Sequence, residues 1–151
     1  MNHLFPLALV IAVCIARVAH ASLLEFGIMI YQMTKRNPLI YYIAYGCHCG
    51  HSGKGAPKDE IDWCCHAHDC CFDRISKLGC HPKTQSYKYA YLEGNVTCID
   101  PENETLASTC ARQICECDKE AALCFKRNND NYKGKYTMYS NLFCTGLQPQ
   151  C

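Results

Sequence analysis

Tyr45 to Phe72 reads YGCHCGHSGKGAPKDEIDWCCHAHDCCF, and the rest of the chain is read outward from it. Gly46, Gly50, Gly53 and Gly55 punctuate its first half. Pro57 then leads into a segment with helical spacing that carries Cys64-Cys65 and Cys70-Cys71 around His68-Asp69. Glycine lets main-chain carbonyls turn inward at little steric cost. A hard cation such as calcium takes about 6–8 oxygen ligands from carbonyls, carboxylates and water; the loop 46–55 offers carbonyls and Asp69 a carboxylate. Neutral imidazole is the usual acceptor of a proton from water near pH 7. On a helix over 59–77, at about 100° per residue, Cys64, His68 and Cys71 share one stripe. His68 then lies between two cross-links, and Asp69 turns toward a loop alongside. The pattern points to a cation beside a general base. The plainer reading of the same residues is a cysteine-rich helix with an incidental histidine, and glycines that only make turns.

The start of the chain bears on the cysteines. Residues 1–21 read as a secretory signal: an apolar run from Leu4 to Ile15, too short to span a bilayer comfortably, then the small-x-small pattern Ala19-His20-Ala21. No Lys or Arg precedes the run, which departs from the usual basic start. The mature chain, 22–151, is one domain by length. Removing Cys14 from the fifteen cysteines leaves fourteen, an even number that in a secreted chain reads as seven disulfides of open connectivity. Cys47-His48-Cys49 and His66-Ala67-His68 contain zinc-type ligands, but an oxidising compartment argues against zinc.

Along the rest of the chain, Ser22 to Lys35 is amphipathic, with Leu23, Phe26 and Ile30 on one stripe. A core-facing stripe is the ordinary reading. Asn37-Pro38 is expected to end this helix. Asp59 is placed to cap the central helix and Gly79 to end it. Residues 81–100 alternate loosely, with Glu93-Gly94-Asn95 as the turn of a short hairpin. Tyr89 and Tyr91 read as strand packing. Residues 99–109 are a polar loop, and 106–127 a third long helix whose basic end suits the helix dipole. Asn95-Val96-Thr97 and Asn103-Glu104-Thr105 are glycan acceptor triplets. Loss of Arg17 with the leader leaves fourteen basic residues against fourteen acidic ones, a net charge of zero. That excludes a nucleic-acid footprint and leaves lipid binding to exposed apolar side chains.

The stretch Y-G-C-x-C-G followed by D-x-C-C-x-x-H-D, with Cys115-Glu116-Cys117-Asp118-Lys119 downstream, resembles the secreted phospholipase A2 family over nearly all of the chain after the leader. The tail ending in Cys151, with Cys70 in the helix, resembles its group II subclass. The resemblance implies a mainly α, small disulfide-rich fold. Its parts would be two long antiparallel helices, an N-terminal helix, a calcium loop and a two-stranded β-wing. It implies the pairs Cys47–Cys144, Cys49–Cys65, Cys64–Cys124, Cys70–Cys151, Cys71–Cys117, Cys80–Cys110 and Cys98–Cys115. Two of these step seven residues forward on one helix and seven back on another, about two turns each, as an antiparallel pair requires.

The implied activity is calcium-dependent hydrolysis of the sn-2 acyl ester of glycerophospholipids at a membrane or micelle surface, by a secreted monomer. His68 would be the general base and Asp118 its partner. Tyr87 would bond Asp118, and the Gly50 amide would assist. One calcium ion would be held by Asp69 and the carbonyls of His48, Gly50 and Ser52. Leu23, Phe26 and Ile30 would line the mouth of an acyl channel, and the freed amino group of Ser22 would seat the first helix. The chain departs from the family in three places. Ser52 stands where the loop has Gly, at a cost of roughly 1–2 kcal/mol if φ is positive there. Phe72 stands for a Tyr that would support Asp118. His48 stands for the loop's usual Tyr. The Ser52 departure motivates an alternative, a catalytically weak or inactive member of the same scaffold that acts through a cell-surface receptor or lipid contact.

Overall fold

The computed structural model describes residues 21–50 and 53–151. The signal segment, apart from its last residue Ala21, and the His51-Ser52 step of the glycine-rich loop lie outside the described residues. Among the described residues, four helices and one hairpin make the frame: α1 (Ala21–Thr34), α2 (Pro38–Tyr41), α3 (Glu60–Ser76), β1 (Tyr89–Leu92), β2 (Asn95–Cys98) and α4 (Leu106–Arg127). Short 3-10 turns follow at Asn129–Asn131, Gly134–Tyr136 and Asn141–Phe143.

The long helices begin where side chains replace missing hydrogen-bond partners. The Asp59 carboxylate accepts from the Asp62 amide at 3.1 Å, starting α3. Thr105 and Ser108 form a reciprocal capping box at the start of α4. The helix therefore begins at Leu106, and the polar loop is shorter than 99–109. At the far end of α3, Gly79 adopts φ +91° and the Cys80 amide reaches back to the Ile75 carbonyl.

Two boundaries differ from expectation. α1 ends at Thr34, with Lys35 at φ 61°, before Asn37-Pro38 is reached. Asn37 instead caps α2, accepting from the Leu39 amide at 3.0 Å, and Pro38 occupies its first position. Proline fits there because that amide has no helical partner to lose. The hairpin turn is also tighter. Glu93 and Gly94 both have positive φ, and Asn95 already pairs with Leu92. Two-residue turns of this kind match the twist of the strands.

α3 and α4 run antiparallel, joined by Cys64–Cys124 and Cys71–Cys117. The other five disulfides also follow the implied pairing. In the chain-entropy view the 97-residue closure at Cys47–Cys144 stabilises by about 4–5 kcal/mol and the 16-residue closure at Cys49–Cys65 by about 3 kcal/mol. Between the helices lies a core of Met29, Ile30 and Met33 from α1, Ile61 and Ile75 from α3, and Ile114, Ala121, Ala122 and Phe125 from α4. Full burial of each large apolar side chain contributes roughly 1.5–3 kcal/mol. The hairpin leans on α1, where the Tyr89 hydroxyl donates to Gln32 Oε1 at 2.8 Å and the Tyr91 hydroxyl to the Gln32 carbonyl at 3.0 Å.

Candidate active site

The glycine-rich loop is held from below by one carboxylate. Asp62, in the first turn of α3 and fully buried, accepts three main-chain N–H groups: Cys47 at 2.8 Å, His48 at 2.7 Å and Lys58 at 2.8 Å. Gly46 makes this approach geometrically available. Its φ is +59°, and a Cβ there would lie 2.4 Å from the Asp62 carboxylate carbon. Gly50 is equally constrained, since at φ +115° its Cβ would meet the Ile43 carbonyl oxygen at 2.1 Å. Tyr45 pins the loop's entrance. Its hydroxyl donates to Asp59 at 2.6 Å and accepts from the Lys133 amide at 3.1 Å. Burial, reinforced by the Asp59 carboxylate, pushes the Tyr45 phenol well above its ordinary range.

His48 turns its side chain under the loop, where it is buried. Nε2 donates to the Gly55 carbonyl at 2.8 Å, which leaves the lone pair on Nδ1. That Nδ1 is buried without a partner among the described residues. A Cβ on Gly53 would stand 2.6 Å from His48 Nδ1 and 3.3 Å from Asp69 Oδ2, so Gly53 sits close against both side chains.

Nearly two helical turns beyond Asp62 on α3, His68 faces α4. Its Nε2 lies 2.6 Å from Asp118 Oδ1. A carboxylate oxygen accepts, so Nε2 carries the hydrogen and Nδ1 the lone pair. The other Asp118 oxygen accepts the Tyr87 hydroxyl at 2.7 Å. Asp118 has no exposed surface; that burial pushes its carboxyl up, and the bonds from His68 and Tyr87 pull it back. Burial, and then the neighbouring Asp118 charge, push the Tyr87 phenol far up, so it stays a donor. The His68 ring is stacked by Phe26 at 4.6 Å and flanked by Phe72 at 4.2 Å. Phe72 thus packs on the imidazole where a tyrosine was expected to support Asp118.

The sequence-derived residues fall into two groups. His68, Asp118, Tyr87 and Phe26 meet directly, and Asp69 and His48 both border Gly53. Leu23 is about half exposed on α1, Ile30 is packed into the core, and Ser52 lies outside the described residues. Four residues carry no functional reading at the sequence level. Asp62 stands within the helix motif, but its role depends on which amides come near it. Tyr45 and Asp59 form a clamp 14 residues apart. Glu25 accepts the Tyr87 amide at 3.0 Å and the Ser86 hydroxyl, anchoring the segment that presents Tyr87. An acidic residue on an apolar helix stripe gives no signal of that task.

A profile of the family described as phospholipase A2 matches residues 23–137. The chain belongs to the phospholipase A2 family. It is 45% identical over 151 residues to the membrane-associated phospholipase A2 of Rattus norvegicus, covering all of both chains. It is 44% identical over 146 residues to the group IIE secretory phospholipase A2 of Mus musculus, covering 97% of this chain and 98% of that one. A third relative, the membrane-associated phospholipase A2 of Homo sapiens, is 44% identical over 133 residues, 88% of each chain. This phospholipase A2 is therefore group II-like, with the small disulfide-rich fold. Among the described residues no helix is long and apolar enough to cross a membrane.

The family is generally calcium-dependent, and the residues present fit a hard cation. Asp69 accepts no hydrogen bond from any described residue. Although part of its surface reaches solvent, partial desolvation pushes its carboxyl up, and the imidazoles of His68 and His48 pull it down only in part. A carboxylate so placed is stabilised by a cation. The adjacent loop is shaped by Gly46 and Gly50, whose geometry leaves no room for a Cβ.

Proposed function

We propose that this phospholipase A2 hydrolyses the sn-2 acyl ester of glycerophospholipids at a lipid–water interface, outside the cell, with one calcium ion. The observation that carries the reading is the chain of contacts Tyr87–Asp118–His68, at 2.7 and 2.6 Å, ending beside Asp69.

His68 Nδ1 removes a proton from a water molecule as that water attacks the ester carbon. The imidazolium that forms is stabilised through Nε2–H by Asp118, which also holds the tautomer and ring angle. Tyr87 keeps Asp118 ionised and stationary. No acyl-enzyme arises, because the nucleophile is water. Phe26 and Phe72 shield the imidazole from bulk solvent. Asp69 and the main-chain carbonyls of His48 and Gly50 would hold the ion, with Ser52, the further ligand read from the sequence, outside the described residues. A calcium ion bound there would supply charge to polarise the ester carbonyl and to offset negative charge on its oxygen and on the phosphate. The Gly50 amide adds a donor to that oxygen.

Leu23, Leu24, Ile28 and Tyr31 expose apolar surface on α1, the helix that carries Phe26. With no net charge on the mature chain, these side chains anchor the protein at the lipid surface. Leu23 and Phe26 form the wall along which the acyl chain passes, and Ile30, read with them from the sequence, is packed into the core instead. Ser22 is buried, and its hydroxyl donates to the Pro82 carbonyl at 2.8 Å, which supports a seated mature N-terminus.

The test is fatty-acid release from phosphatidylcholine or phosphatidylglycerol vesicles labelled at sn-2. Release should require millimolar calcium, stop in chelator, and disappear in His68→Gln. Release unchanged in chelator would overturn the reading. Saturable vesicle binding with no release at any calcium level would favour the non-catalytic alternative.

A further inference from the structure

His66 takes no part in this chemistry. It is 6% exposed, two residues before His68 and so well round α3 from it. Its ring lies edge-on to Trp63 at 5.5 Å and to His48 at 5.0 Å, and Nε2 comes within 3.6 Å of Cys70 Sγ. Cys70 is bonded to Cys151. The ligating atoms of His66, Cys70 and Cys151 all lie within 4.8 Å of one another. A tetrahedral zinc ion with a nitrogen at about 2.0–2.1 Å and a sulfur at about 2.3 Å sets those two atoms about 3.5 Å apart. That is the His66–Cys70 spacing. While the sulfurs are bonded to each other they are not thiolates and do not serve as zinc ligands.

Their cross-link is the vulnerable one. Of the seven disulfides among the described residues, only Cys70–Cys151 has neither cysteine buried. Cys151 is exposed and Cys70 only partly buried. The tail does not wander once freed. Cys144 is buried and bonded to Cys47, so Cys151 stays seven residues from a fixed point and re-approach is entropically cheap.

We propose that opening Cys70–Cys151 creates a His66–Cys70–Cys151 site for one thiophilic divalent cation of the zinc type. A thiolate of a dithiol attacks Cys151 Sγ, a mixed disulfide forms, and Cys70 leaves as a thiolate beside His66. The second thiol of the reductant then displaces Cys151, so two electrons pass from dithiol to disulfide and the reductant leaves as its own disulfide. Zinc binds both cysteine sulfurs as thiolates and the neutral imidazole, and each sulfur still protonated gives up its proton on binding. The site is separate from Asp69 and does not depend on phospholipid hydrolysis.

The experiment uses the full oxidised chain, titrated with dithiothreitol and sampled by alkylation and mass spectrometry. Cys70 and Cys151 should be labelled before any other cysteine. After anaerobic removal of the reductant, cobalt(II) should give a thiolate-to-metal absorption band at one ion per chain. Zinc should bleach that band and protect both thiols from alkylation. His66→Leu should weaken zinc binding more than tenfold, since even second-shell losses reach that size. Cys70→Ser/Cys151→Ser, which keeps the other six disulfides, should give no band. X-ray absorption of the zinc form should show two sulfurs and at least one nitrogen, which needs no variant. Another disulfide opening first, an opened protein without the cobalt band, or an all-sulfur and oxygen shell would each overturn the proposal.

Discussion

Replacing Asp62 tests whether a single buried carboxylate shapes the glycine-rich loop. Asp62 takes three backbone N–H groups at 2.7–2.8 Å with no exposure to water. In Asp62→Asn only one oxygen remains. If it serves Cys47 and Lys58, the amide group faces the His48 N–H, donor against donor. If it serves His48, two donors are stranded. Each stranded buried donor costs about 1–3 kcal/mol, and the surviving bonds lose their charge assistance. The better orientation therefore costs about 2–4 kcal/mol. Guanidinium unfolding with disulfides intact measures it. Calcium affinity, read by calorimetry, should fall at least tenfold, because the carbonyl-bearing segment 46–50 loses its support. A variant within about 0.5 kcal/mol of the parent, with calcium binding unchanged, would refute the view that Asp62 organises the loop.

Tyr87→Phe leaves one Asp118 oxygen without its donor; hydrolysis rate should fall roughly 5–150-fold, the equivalent of about 1–3 kcal/mol, with vesicle binding unaltered. Gly50→Ala forces a Cβ to 2.1 Å from the Ile43 carbonyl oxygen, so calorimetry should detect no calcium binding at concentrations that saturate the parent. Phe26→Ala uncovers the His68 ring and should lower kcat/KM by about tenfold or more while costing about 1–3 kcal/mol of stability, since Phe26 is only partly buried; unchanged kcat/KM would show that the stacking is incidental.

Much of the fold was legible because it is encoded locally. Asp59 and Gly79 act within a few residues of themselves, and the spacing of Cys64 and Cys71 against Cys117 and Cys124 is a matter of helical turns. His68 and Asp118 were readable through short motifs that hold their cysteine neighbours at set distances. Pro38 misled because the same ring that ends one helix opens the next, and only the positive φ at Lys35 shows where α1 stops. Asp62, Glu25 and the Tyr45–Asp59 clamp were silent because each acts on groups brought close by the completed fold. No periodicity distinguishes a carboxylate that will meet three amides from one that will meet water.

The bonds flanking the imidazole also outlast the folded state. Cys71 is three residues from His68, and its partner Cys117 is next to Asp118. A heated, unfolded chain that stays oxidised still carries His68 and Asp118 on a short tether, within about four residues' reach beyond the cross-link. Cooling then has little search to perform before the two meet again. Boiling should therefore be a poor way to destroy this protein, whereas a reducing compartment should silence it without any rise in temperature.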